Sequence, residues 1–410
     1  KSTRSKTAMS AISSSPTESF VRCRHFGSCG GCSLQDKPYD VQLTYKRNKV
    51  LTALAGIEGL PVLGVMPSPQ PWNYRNKMEF SFGDVYPPVE GRWLKLGMKP
   101  KGRWYEILDL EECHLPSPEA APLLAAVRSW AEREKVPPYN SHKKEGVLRH
   151  LVLREAKNRP ERMVVLVTTN GNIPKNSFID AVQSVYPATT ILLGSNAKAS
   201  DTAISDSMEV IMGQGYITET LYFPDGAVDY RISPQSFFQT NTKGTEVLYG
   251  LLRSWTRSLG FGLVLDLYCG GGGIALSLAG AARKVVGVEL NAAAVADAKA
   301  NAERNGIKNC EFYNAAVELM LPSLLDMRPA AVVVDPPRAG LHAKAAATLL
   351  EMAPPVIFYV SCNPESLARD LKILGARYTV ETLVCVDLFP HTDHVETVAR
   401  LVRLPLASAV

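Results

Sequence analysis

Leu263-Val264-Leu265-Asp266-Leu267-Tyr268-Cys269-Gly270-Gly271-Gly272-Gly273 decides the fold. A short apolar run with an acid near its end meets four consecutive glycines, and a helical pattern follows over 273–280. This strand–turn–helix junction predicts a parallel sheet whose glycines let the backbone approach a ligand at the carboxyl edge. Outward from it, 284–289, 331–335 and 356–360 read as further strands, and 291–305 and 342–353 as helices. Runs this apolar suit strands buried on both faces. Residues 226–410 are therefore expected to form a doubly wound, Rossmann-like α/β domain.

Upstream, 20–225 reads as an α+β domain. Helices are predicted over 38–56, ending at Gly56, and near 116–134. Short strands are predicted over 78–83, 93–98, 104–109, 147–153, 163–169 and 190–193. Residues 1–19 hold Lys1, Arg4 and Lys6 with no acid before Glu18. Their composition suits a disordered tail or a transit-peptide remnant, and they lack the apolar stretch of a secretory signal. The expected compartment is the cytoplasm, or a plastid or mitochondrion if the tail is such a remnant. A hydrophobic content of 46% with 21% charged residues is that of a soluble globular chain. No run of about 18 apolar residues is present to span a membrane. The net charge of +5 is compatible with an anionic partner. So are two basic stretches, Arg92–Arg103 and Lys143–Arg162, although a solvated face reads equally well.

Glu289 closes the second predicted strand, 23 residues after Asp266, where an acid can accept hydrogen bonds from both ribose hydroxyls. A nucleoside cofactor follows, NAD or S-adenosylmethionine (SAM). Dinucleotide sites space their glycines for a pyrophosphate, whereas an acid just ahead of four glycines favours SAM. The fourth strand runs into Ser361-Cys362-Asn363-Pro364. A thiol in this polar loop ahead of a helix N-terminus should favour thiolate, which makes Cys362 a candidate nucleophile rather than a buried apolar residue. Glu396, in Phe389-Pro390-His391-Thr392-Asp393-His394-Val395-Glu396-Thr397, is a candidate base. A surface glutamate is the alternative reading, and His391 and His394 compete for the role. Cys23, Cys29, Cys32 and the distant Cys113 offer four thiolates, with Gly27, Gly30 and Gly31 beside them. Four cysteines fit zinc or a 4Fe-4S cluster, zinc being the commoner structural occupant, and four unrelated thiols are the plain alternative.

Taken in order, Ser233-Pro234-Gln235-Ser236-Phe237-Phe238-Gln239-Thr240-Asn241, Asp266-Leu267-Tyr268-Cys269-Gly270, Asp335-Pro336-Pro337-Arg338, Ser361-Cys362-Asn363-Pro364 and His394-Val395-Glu396-Thr397-Val398 resemble the bacterial-type RNA uracil-C5 methyltransferases over about 20–403. The resemblance implies a SAM-dependent enzyme in which Cys362 adds to carbon 6 of uracil and Glu396 removes the proton from carbon 5. It implies that Gln239, Tyr268, Glu289 and Asp335 line the SAM site, with Asp335 or Gln239 also reaching the uracil. In the ribosomal-RNA branch, a fourth cysteine before His-Leu completes a 4Fe-4S site. Cys113-His114-Leu115 matches that pattern, so iron–sulfur becomes the expected occupant and ribosomal RNA is expected ahead of tRNA. Two departures stand out: Gly273, where some members carry Asn, and Ala316, where a polar residue aligns. Many members also carry a small β-barrel ahead of the cysteines, and the expectation here is the branch without one.

RNA is the expected partner, and the chain is expected to be a monomer. Trp72, Tyr74, Arg75 and Lys77, Arg149 and His150, and Phe237 or Phe238 mix aromatic and basic character as single-stranded RNA contacts do. Trp72 and Tyr74 read equally well as core. An RNA cytosine-C5 methyltransferase would place Cys where Pro337 stands. A catalytically silent RNA-binding factor would not need Cys362 and Glu396.

Overall fold

The structure, a computed structural model, describes residues 23–89, 92–103, 105–140, 143–169, 171–198 and 201–405. The tail expected over 1–19, and Trp104 in one predicted strand, lie outside them.

Eight strands form the larger sheet, in the order Val62–Met66, Tyr378–Val386, Glu396–Arg403, Val356–Ser361, Ala331–Val334, Leu263–Leu267, Lys284–Glu289 and Cys310–Asn314. The four strands read from the sequence sit next to one another inside it. Leu263–Leu267, Ala331–Val334 and Val356–Ser361 are buried at every position, as strands covered on both faces must be. Cys310–Asn314 and Tyr378–Val386 mix exposed polar residues with buried ones and give no such run. All neighbours are parallel except where Glu396–Arg403 runs against both Val356–Ser361 and Tyr378–Val386. That reversal carries the site. An antiparallel strand begins where its neighbours end, so Thr397 pairs with Ser361 and Glu396 arrives beside Cys362.

A seven-stranded sheet forms the other body: Leu108–Asp109, Arg92–Met98, Lys77–Val89, Leu148–Glu155, Arg162–Thr168, Thr190–Ser195 and Ser207–Met212. Helices Ala120–Arg133 and Lys175–Gln183 bury Leu123, Leu124, Val127, Trp130, Phe178 and Val182 in its core. The expected α+β character of this region matches that arrangement.

The division expected at 225/226 falls inside a hairpin, Ile217–Phe223 with Gly226–Ile232. That hairpin packs with Leu248, Leu252 and Val264 in the core of the larger sheet. Residues 39–66 also change sides. Val62–Met66 is an edge strand of the larger sheet, and Val50 of helix Tyr39–Ala53 and Leu54, which caps its C-terminal end, pack with Leu371 and Leu374. Their partners lie over three hundred residues away in the chain, beyond the reach of local pattern. Among the described residues no helix is long and apolar enough to cross a membrane.

Candidate active site

At the carboxyl edge of the eight-stranded sheet a cleft of about 1270 Å³ is lined by Gln239, Tyr268, Glu289, Asp335, Cys362 and Glu396 together. The glycine turn forms its floor. Tyr268, Gly270 and Gly272 have φ of 65, 52 and 81°, and the amides of Tyr268 and Cys269 both donate to the Val288 carbonyl. A tyrosine in the left-handed region is uncommon and marks a turn fixed by its surroundings. The Glu289 carboxylate accepts from Gly270 N at 3.1 Å through one oxygen and from Asn291 N at 2.7 Å through the other. A Cβ on Gly273 would stand 2.6 Å from the Tyr249 hydroxyl, so this site has no room for the asparagine that some similar sequences carry. Ala316 also lines the cleft.

Cys362 follows the strand Val356–Ser361 and precedes the helix Pro364–Leu374, whose cap, Asn363, accepts from Glu365 N at 3.2 Å. The thiol is half-buried. Burial raises its pKa, the Glu396 and Asp335 carboxyls raise it further, and the Arg338 guanidinium lowers it. Burial and the two acids thus oppose the thiolate expected from the helix N-terminus, and Arg338 supports it. Glu396 is only 2% exposed. Burial and then the neighbouring Asp335 hold its carboxyl well above the usual range, against the pull of Arg338. Burial also lifts Asp335, to about 7.

Arg338 had no assigned role in the sequence reading, and the structure puts it at the centre. Its Nη2 lies 2.9 Å from Nδ1 of His394, its field acts on both Cys362 and Glu396, and Asn363 Nδ2 donates to its carbonyl at 3.1 Å. The signal available was the motif Asp335-Pro336-Pro337-Arg338, whose last residue follows two prolines that stiffen the turn. Of the competing bases, His394 lines the cleft. His391 instead stacks on Trp72, with ring centroids 3.6 Å apart, and is 3% exposed.

The Ser233–Asn241 loop closes the cleft and is held from the other body. Asn76 Nδ2 donates to the Gln239 carbonyl at 2.8 Å, and Arg154 Nε to the Pro234 carbonyl at 3.0 Å. Phe237 stands 67% exposed at the mouth, whereas Phe238 is buried against Tyr230. Several expected RNA contacts prove structural. Tyr74 is core, His150 is buried, and Arg149 donates to the carbonyls of Asn196 and Lys198 at 3.0 and 2.6 Å while lying over the Tyr139 ring. Arginine and tyrosine bury readily once their polar ends are satisfied, which composition does not reveal. Arg75 does line the cleft.

Cys23, Cys29, Cys32 and Cys113 face one cavity with Phe26, Met78, Met98, Leu110 and Leu115. Burial raises all four thiols, Cys32 and Cys113 to about 12, and Arg75 opposes the rise at Cys29, Cys32 and Cys113. Gly31 N points at the Cys29 sulfur (3.3 Å) and Gln35 Nε2 at that of Cys32 (3.6 Å). Four soft donors with N–H groups aimed at sulfur fit a thiolate-bound metal group, whose binding would displace the thiol protons. Among the described residues the tightest ligand set is Cys23, Glu112 and His114, within 4.8 Å of one another, but its glutamate and histidine are partly exposed side chains.

Residues 198–404 match the family model described as tRNA (uracil-5-)-methyltransferase. The chain is 37% identical over 395 residues to an uncharacterized RNA methyltransferase of Clostridium tetani, covering 95% of this chain and 85% of that protein. It is 36% identical over 391 residues to the tRNA (uracil(54)-C(5))-methyltransferase of Pyrococcus abyssi, covering 95% and 88%. The crystal structure of the P. abyssi enzyme in complex with S-adenosyl-L-homocysteine superposes with a TM-score of 0.73 at 35% identity, over 92% of this chain and 86% of that one.

Proposed function

Because the chain belongs to the tRNA (uracil-5-)-methyltransferase family, we propose that it methylates carbon 5 of one uridine in RNA through a covalent bond from Cys362. The observation that carries this reading is the placement of Cys362, Glu396, Asp335 and Arg338 in the cleft that also holds Glu289 and Gln239. Carbon 5 of uracil is too weak a nucleophile to take a methyl from a sulfonium unaided. When the Cys362 sulfur adds its electron pair to carbon 6, the ring π pair moves toward carbon 5 and the carbonyl oxygen. Arg338, beside the thiol, favours the thiolate that this addition requires. Carbon 5 then forms its bond to the methyl, and the sulfonium carbon–sulfur pair leaves with S-adenosylhomocysteine. Glu396 takes the remaining proton from carbon 5. That C–H pair re-forms the ring double bond, and the carbon 6–sulfur pair returns to Cys362. Glu289 is the acceptor for the ribose hydroxyls of SAM, with Gln239, Tyr268 and Asp335 around the cofactor and uracil.

A flipped nucleotide must enter the cleft for any of this, and the exposed Phe237 at its mouth offers a stacking surface. Two RNAs are candidates: a tRNA T-loop, because the similar P. abyssi enzyme acts at tRNA position 54, and ribosomal RNA, which the cysteine pattern favours. Cys23, Cys29, Cys32 and Cys113 would hold a 4Fe-4S cluster, with zinc the second choice. Such a group, when bound, supplies folding energy to residues 23–34 and no electron that methyl transfer uses.

The test pairs two variants on unmodified tRNA and ribosomal-RNA transcripts. Cys362→Ala should abolish 5-methyluridine formation in folded protein. Glu396→Gln should accumulate methylated RNA joined to protein, a slow band on a denaturing gel that is absent from the double variant. Full activity in Cys362→Ala would refute the covalent route, and normal turnover in Glu396→Gln would pass the base role to His394.

A further inference from the structure

Glu396 enters the cleft at the end of the loop Asp387–Val395, and that loop is tied to the N-terminal segment. The Lys46 ammonium, buried in helix Tyr39–Ala53, donates to Asp387 Oδ1 at 2.6 Å and to the Phe389 carbonyl at 2.8 Å. Next along the loop, the Tyr74 hydroxyl donates to the Pro390 carbonyl at 3.1 Å. His391 has φ of 66°, a conformation that a residue with a side chain adopts only when held there. Gln42 holds it: the His391 amide donates to Gln42 Oε1 at 2.9 Å, and Gln42 Nε2 lies 3.2 Å from the ring Nδ1. Trp72 stacks on the ring. The His391 carbonyl in turn accepts from the amides of Ser33 and Leu34, at 2.9 and 3.0 Å, directly after Cys32. None of these supporting groups lines the cleft.

Buried, satisfied polar networks of this kind fix one geometry at the expense of alternatives. We propose that Gln42, Lys46, Trp72 and Tyr74, with the turn after Cys32, form a brace that positions Glu396 for proton removal, so that loosening the brace stalls the cycle after methyl transfer. These are positioning residues acting through the loop. Cys362 and the cofactor turn belong to other strands and touch none of these groups; the loop reaches the thiol only through His394 and Arg338, so addition and methyl transfer depend on the brace less than proton removal does. The step left waiting is the last one: the C5–H pair cannot re-form the double bond, and the carbon 6–sulfur bond stays intact. The inference rests on the proposed roles of Cys362 and Glu396.

Full-length Gln42→Leu, which deletes both contacts to His391, and Tyr74→Phe, which removes one hydroxyl and keeps the ring, are compared with wild type and Glu396→Gln. Gln42→Leu should turn over on the order of 10- to 100-fold more slowly, the cost of a small misplacement of a reacting group. Its single-turnover methyl transfer and its SAM affinity should stay within twofold of wild type. The methylated covalent band should build up, and Tyr74→Phe should show a weaker form of the same pattern. A general loss of structure would slow methyl transfer and turnover together and leave no band. That result in both variants, while Glu396→Gln accumulates its adduct, overturns the brace and leaves the proposed function intact. Absence of the adduct in Glu396→Gln itself overturns the function on which the brace depends.

Discussion

Replacing Glu289 by alanine isolates the cofactor half of the site, and its cost follows from how the carboxylate is already used. Each oxygen accepts one backbone amide, from Gly270 at 3.1 Å and Asn291 at 2.7 Å. Each keeps a second lone pair that is free to receive a ribose hydroxyl. Two hydrogen bonds to a charged acceptor would give about 3–6 kcal/mol. The two amides already draw charge from the carboxylate, which brings the expected loss to about 2–4 kcal/mol, or roughly 30- to 1000-fold in SAM affinity. Glutamine is no mild substitute here. Its NH₂ must face the amide of either Gly270 or Asn291, so Glu289→Gln should lose nearly as much as Glu289→Ala. Calorimetric titration of SAM and S-adenosylhomocysteine into both variants gives the comparison, with thermal melting to confirm that the fold survives. Affinity within threefold of wild type in Glu289→Ala would refute the ribose assignment. Tighter binding of NAD than of SAM to the wild-type protein would refute the cofactor.

Three further outcomes are expected. Arg338→Ala removes the cation shared by Cys362, Glu396 and His394, and should lower the rate of covalent adduct formation about 10- to 100-fold with SAM binding unchanged; an unchanged adduct rate would remove Arg338 from the chemistry. Because burial raises the folded pKa of Asp335, to about 7, and of Glu396, the folded state holds protons that the unfolded chain releases near the ordinary carboxylate range. Stability from these groups is fully present below about pH 4 and is lost as pH rises through the folded values, about 7 for Asp335, so melting temperature should fall between pH 5 and 8, and fall less in Glu396→Gln. Anaerobically purified protein should be brown, with about four irons per chain. Cys113→Ser should lose that metal and Cys310→Ser should keep it, while tightly bound zinc without iron would displace the cluster.

The central strands, the glycine turn, the acid Glu289 and the polar loop of Cys362 were legible in the sequence, because each rests on local information, whereas Glu396 stood level with a surface glutamate until the resemblance favoured it. A strand buried on both faces must be apolar throughout, a turn against a ligand must be small, and a reactive loop keeps polar neighbours. What no local pattern contained was adjacency. Only the reversed strand Glu396–Arg403 brings Glu396 beside Cys362, and its own sequence is that of an ordinary strand. The same limit hid Arg338, which becomes significant through the three side chains around it. It hid the placement of helix Tyr39–Ala53, expected as a helix over 38–56, whose buried Lys46 finds Asp387 hundreds of residues away. It also misplaced Arg149 and His150, which look like RNA contacts until the fold buries them, and it left Tyr74 open between RNA contact and core. Sequence fixes what a residue can do through its own chemistry and its nearest neighbours. Which of those capacities it exercises depends on burial and on distant partners, and these exist only once the chain has closed on itself.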